Sequence, residues 1–142
     1  MSEPADDQHQ ISVFQAVGGQ PFFDQLVERF YAVVADDDVL LPLYPDQHDL
    51  GPARERLAMF LAQYWGGPTT YSEQRGHPRL RMRHVPFVIG DAERDHWVAA
   101  MQTALDATMP GTPLDPELQA VVHARMSEYF TMSAAHLVNQ PG

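Results

Sequence analysis

Cysteine is missing from this chain of 142 residues, which excludes disulfides, thiolate nucleophiles, iron–sulfur clusters, cysteine–zinc sites and CxxCH attachment of a covalent cofactor. Lysine is missing as well, so every fixed cation is one of nine arginines and Schiff-base chemistry is excluded. Those nine face nineteen acidic side chains, a formal net charge of -10, and so the chain has no general attraction for nucleic acid or for an anionic membrane surface. No apolar run approaches the ~18 residues of a membrane span. The opening MSEPADDQHQ has neither the basic start nor the apolar centre of a signal peptide. A soluble, cytoplasmic protein with no nucleic-acid or membrane partner is expected. No window alternates with period two for long enough to make a strand, and there is no internal repeat or low-complexity tract.

The length suits one domain with a substantial core. Residues 1–10 read as a frayed tail and residues 11–142 as a single domain. Within it, ISVFQAV gives a short apolar helical turn stopped by Gly18-Gly19. From Pro21, the residues Phe23, Leu26, Val27, Phe30, Tyr31 and Val34 fall on one helical face. VLLPLYP holds two prolines in seven residues and predicts a brief helical turn or corner. Pro52 opens a helix bearing Leu57, Phe60, Leu61, Tyr64 and Trp65, which Gly66-Gly67-Pro68 terminates. Residues 69–77 read as irregular, and Pro78 and Pro86 bracket about two helical turns in which Leu80 and His84 share a face. Asp91 is expected to cap a helix carrying Trp97, Met101, Ala104 and Leu105, and MPGTP to break it. Asp115-Pro116 then starts a last helix with Leu118, Val121, Val122, Met126 and Tyr129. The architecture expected is all-α, two helix pairs around a short central element.

Against this acidic background, RGHPRLRMRHVPF sets Arg75, Arg79, Arg81 and Arg83 within nine residues leading into His84. The seven histidines do not otherwise cluster, and none makes the i, i+4 pair of a zinc helix. A histidine on an apolar face is ordinarily a hydrogen-bonded core residue, and arginines on an acidic chain ordinarily pair with carboxylates; for Arg75 and Arg81 that reading stands level with any other. The combination fits a second chemistry. A b-type haem needs one neutral imidazole for iron, apolar side chains over its ring and cations for two propionates. Successive helical residues project ~100° apart, so Arg83 would point sideways from a ring whose iron His84 holds. A planar guanidinium grips a carboxylate through two parallel hydrogen bonds, which makes Arg79 and Arg83 the candidate propionate partners.

Several features together resemble the group II truncated haemoglobins: Gly18-Gly19, the face ending in Phe30-Tyr31, the LYP corner at residues 43–45, and above all ERLAMFLAQYWGGPTTYSEQRGHPRLRMRHVPF from Glu55 to Phe87. The resemblance runs from about Phe14 to Asn139. It implies a shortened globin, a two-over-two helical sandwich around non-covalent haem b, with His84 as the iron ligand. It implies further that Arg79, Arg83, Met82, Phe87, Tyr71 and Trp65 hold the cofactor. Carried over position by position, the ligand-stabilising cage falls on Tyr31, Tyr44 and Trp97, in a pocket walled by Phe30, Ala53, Leu57 and Phe60. Each aromatic alone reads as core filling; the three share hydroxyl or indole donors, which buried sites must satisfy. Ala53 aligns where ordinary globins carry a distal histidine and has no donor to offer. The loop at residues 46–50 carries an extra residue relative to the common group II pattern.

The resemblance implies oxygen binding at a five-coordinate iron, tight and slowly released, with carbon monoxide, nitric oxide and peroxide as further small ligands. The alternative is a haem enzyme, a nitric oxide dioxygenase or peroxidase-like catalyst, fed by a separate reductase because no flavin or nicotinamide domain is attached. A homodimer is left open, and so is a helical interaction domain without cofactor.

Overall fold

The computed structural model describes residues 12–44, 48–76 and 89–138. Among them there are helices and no strand. The helices α1 (Val13–Ala16), α2 (Gln20–Ala35), α3 (Gly51–Tyr64), α4 (Thr70–Arg75), α5 (Asp91–Thr108) and α6 (Pro116–Leu137) are joined in part by 3-10 turns at Leu41–Leu43 and Met109–Gly111. The periodic face of α2 packs on both α3 and α5, and α5 packs on α6. Phe23, Leu26, Phe30, Val34, Met101, Leu105, Met126 and Phe130 are fully buried where these helices meet.

Glycine lets α1 dock on the end of α3. The Phe14 N–H donates to the Trp65 carbonyl at 2.9 Å, and a side chain at Gly67 would place its Cβ 2.5 Å from the Phe14 ring and 2.8 Å from the Ala62 carbonyl. Gly66, at φ 100°, adopts a left-handed conformation that few other residues tolerate, and its Cβ would fall 2.5 Å from that of Ser12. Elsewhere, side chains fix the joints. Asp37 accepts from the N–H groups of Val39 and Leu40 at 2.8 and 2.9 Å and pairs with His96 of α5 at 2.9 Å. The corner between α2 and α3 is thereby tied to α5. Arg29 of α2 donates to Thr108 Oγ1 and to the Ala107 carbonyl, satisfying an otherwise open carbonyl at the end of α5.

Three expectations are corrected. Residues 69–77 are not wholly irregular, because Thr70–Arg75 is helical. A Thr69 hydroxyl bond to Glu73 closes that turn, and Gln63 of α3 holds Ser72 through two hydrogen bonds of 2.7 and 3.0 Å. Asp91 is the first residue of α5 and not its cap; Gly90 takes that place, its N–H held by Glu93 at 2.8 Å, while Asp91 pairs with Arg94. On α6 the buried stripe is Val122, Met126, Phe130 and Ala134, an unbroken i, i+4 row, whereas Leu118 and Val121 are exposed. Asp115 does cap α6, accepting from the Leu118 N–H at 2.8 Å.

Candidate functional site

The expected iron ligand His84 and the expected cofactor contacts Arg79, Met82, Arg83 and Phe87 lie outside the described residues. What the structure places is a group of aromatic rings on α2, on α5 and just after the turn at Leu41–Leu43. Phe30 and Tyr31 are adjacent on α2 and both buried, their rings edge to face at 5.0 Å. Tyr44, one residue beyond the 3-10 turn, meets Tyr31 at 5.5 Å. Trp97, in the second turn of α5, meets Phe30 at 5.4 Å. Tyr31, Tyr44 and Trp97, far apart in the sequence, are thus brought into one aromatic group through Phe30. Ala53 and Leu57 on α3 are partly buried against the same core, and Phe60 is buried beside them. Tyr71 of α4 is buried edge to face on Phe60 at 5.4 Å, held there by the Gln63–Ser72 clasp next door.

The polar ends of this group are set up to donate. Burial raises the Tyr31 phenol above its ordinary pKa, an effect partly offset by its hydrogen bond with Tyr44 and by the nearby Arg56 and Arg54 charges. Burial pushes Tyr44 well above its ordinary value, and the adjoining Tyr31 reinforces the shift. Both phenols therefore keep their protons at neutral pH. The Trp97 indole N–H can only donate.

Trp65 supplies a separate observation. Its indole Nε1 is buried without a hydrogen-bond partner among the described residues, a state that costs roughly 1 to 3 kcal/mol for a neutral donor. A buried indole donor left unused beside apolar rings fits a flat apolar group with polar attachments better than it fits a closed protein core, and the haem expected from the sequence is such a group. The Trp65 orphan and the Tyr31–Tyr44 hydrogen bond are features that sequence reasoning did not find. Both depend on contacts across the fold, for which residue type gives no signal.

The comparisons with known proteins agree with this geometry. Residues 12–130 match the bacterial-like globin family. A group 2 truncated hemoglobin of Bacillus subtilis, YjbI, is 36% identical over 127 residues, covering 89% of this chain and 88% of that protein. The crystal structure of a thermostable hemoglobin from Thermobifida fusca superimposes with a TM-score of 0.83 at 49% identity, covering 93% of this chain and 100% of the other. That of a truncated oxygen-avid haemoglobin from Bacillus subtilis gives 0.75 at 35% identity, covering 91% and 100%. The chain belongs to the bacterial-like globins and, among them, to the group II truncated haemoglobins, an all-α two-over-two family that binds haem.

Proposed function

We propose that the protein binds dioxygen tightly at a non-covalent haem b and releases it slowly. The carrying observation is the placement of three donor-bearing rings in one group: Trp97 on Phe30, Phe30 on Tyr31, and Tyr31 hydrogen-bonded to Tyr44. The likeness to an oxygen-avid haemoglobin of Bacillus subtilis supports the same reading. Haem, when bound, would supply an iron able to take a diatomic ligand. His84 would hold the iron, and Arg79 and Arg83 would pair with the propionates. Met82, Phe87, Tyr71 and Trp65 would contact the ring. Phe30, Leu57 and Phe60 exclude water from the ligand side, and the small Ala53 leaves an approach from solvent. Tyr31, Tyr44 and Trp97 donate hydrogen bonds to a ligand that has drawn electron density, which strengthens each bond relative to one with a neutral acceptor.

A charge-assisted hydrogen bond contributes roughly 1.5 to 3 kcal/mol. Trp97→Phe keeps a ring of similar shape and removes the donor. The oxygen dissociation rate is expected to rise by roughly tenfold or more, with discrimination shifting towards carbon monoxide, which is weakly polarised. Stopped-flow release of oxygen from parent and variant measures this, and equal rates would take Trp97 out of the site.

A second reading, haem-dependent turnover of peroxide or nitric oxide with electrons from a separate reductase, is favoured by one feature. Trp97 is the start of a line of aromatic rings that leaves the pocket for the surface.

A further inference from the structure

Away from the aromatic group, the longest helix carries a surface that the fold leaves without a neighbour. Tyr64, Leu118, Val121 and Met132 are the large apolar side chains exposed among the described residues, and the last three lie on α6. The buried row of that helix is Val122, Met126, Phe130 and Ala134. On its other side Leu118, Val121, Arg125, Glu128, Met132 and Ala135 are all exposed. They recur at intervals of three and four residues, the spacing of a seam that pairs with another helix. Among the exposed residues from 118 to 135, Arg125 and Glu128 alone bear a formal charge, in a protein whose net charge is -10. Single exposed apolar residues need no explanation, but an ordered row running about 26 Å along one helix does.

We propose that this face of α6 pairs with a second copy of the chain, the two helices lying antiparallel about a twofold axis that passes between residues 126 and 127. The order of residues in the row decides the occupant. In a twofold interface, a residue that meets a given position on the partner is met by that position in return. With the axis there, Arg125 meets the partner's Glu128 and Glu128 meets the partner's Arg125. Val121 meets the partner's Met132, and Leu118 the partner's Ala135. Both charges are matched, and every apolar side chain of the row meets another.

Other arrangements do worse. A parallel pair sets Arg125 against the partner's Arg125 and Glu128 against the partner's Glu128, and a one-turn slip of the antiparallel pair loses both charge matches. Within the chain, the ion pairs among the described residues join Arg94 to Asp91 and Asp95, His96 to Asp37, and His123 to Asp106, so Arg125 and Glu128 take part in none of them. Two acidic copies repel each other in general, but this face is neutral and admits close approach. The small Ala124 and Thr131 beside the row leave room for the second helix. The partner's Leu118, opposite the small Ala135, comes to the rim of an open groove of about 380 Å³ between α3 and α6, where the exposed Tyr64 stacks on Tyr129.

The test follows the mass of the purified, haem-loaded protein by sedimentation equilibrium over a range of concentrations. The parent is expected to pass from the chain mass of 16.0 kDa to twice that value as concentration rises. Arg125→Glu and Glu128→Arg each set like charges against one another on both sides of the axis, and each weakens self-association by at least about tenfold. Mixed in equal amounts, the two variants restore opposite charges at both crossings and form a heterodimer as readily as the parent dimerises. A role confined to a side chain's own copy gives no such rescue. Because the chain has no cysteine, oxidation reads the register. Val121→Cys and Met132→Cys, mixed, cross-link to each other, while neither cross-links to itself, since like positions lie about 16 Å apart, beyond the reach of a disulfide. A parent that stays at 16.0 kDa at every concentration overturns the proposal and leaves the face to a different protein. A dimer that survives both charge variants, a mixture that fails to rescue, or Val121→Cys cross-linked to itself overturns it as well.

Discussion

Tyr31 and Tyr44 hold their protons more firmly than free phenols, and that has a consequence for stability as well as for ligand binding. An unfolded tyrosine titrates near ~10, and burial raises both folded values above this. Between the two limits the folded protein binds more protons than the unfolded chain, so stability is fully present below pH ~10 and falls as pH rises further. Urea midpoints are expected to show no contribution from these phenols between pH 7 and 9 and to fall above ~10, with a shallower fall in Tyr44→Phe. An identical alkaline fall in that variant would place the Tyr44 hydroxyl in solvent. At this scale residue type was enough to single out Tyr31, Tyr44 and Trp97, which meet in one aromatic group, while His84 and the arginines before it lie outside the described residues or have no described side chain. The sequence was silent on the Tyr31–Tyr44 hydrogen bond and the orphan Trp65 N–H, which are properties of pairs and of surroundings.

Helix α3 ends where it does because two glycines let another element lie on its last turn. Gly67→Ala would push a methyl into the Phe14 ring and the Ala62 carbonyl, and the carbonyl is backbone that cannot swing away. A loss of about 1 to 3 kcal/mol is expected, the usual cost of overpacking. Calorimetry would register it as a lowered unfolding temperature, and an unchanged value would show that α1 is free to lift off. Prolines, glycine pairs and helical periodicity made the long helices readable. The misreadings came where a tertiary contact outweighed local pattern. α4 is held by Gln63 from another helix, and α6 turns Val122, Met126, Phe130 and Ala134 inward although Leu118 and Val121 are as apolar.

For the molecule as a whole, the proposed cofactor belongs to the folding equilibrium. A group that binds only the folded chain stabilises it by RT ln(1 + [L]/Kd), about 2.7 kcal/mol at a hundredfold excess over Kd. Removing haem from the purified protein is expected to lower the urea midpoint, and adding hemin to restore it in a concentration-dependent way. His84→Ala, deprived of the proposed axial bond, is expected to recover less of the midpoint at equal hemin. Superimposable unfolding curves with and without hemin would contradict the pocket assignment at once, independently of any spectrum.

The hydrogen bond from Phe14 to Trp65 joins positions roughly fifty residues apart, and closing a loop of that length costs chain entropy before any contact repays it. Docking of α1 therefore belongs to the end of the folding reaction, after α2 and α3 have found each other. A substitution there should register in the unfolding arm of a chevron plot and leave the folding arm nearly untouched. Phe14→Leu tests it: the expected φ-value is near zero, and a value near one would make the α1 clasp part of the folding nucleus. In ordinary solution the same order means that opening begins at this clasp, so the Phe14 amide exchanges its hydrogen ahead of those in α2 and α5.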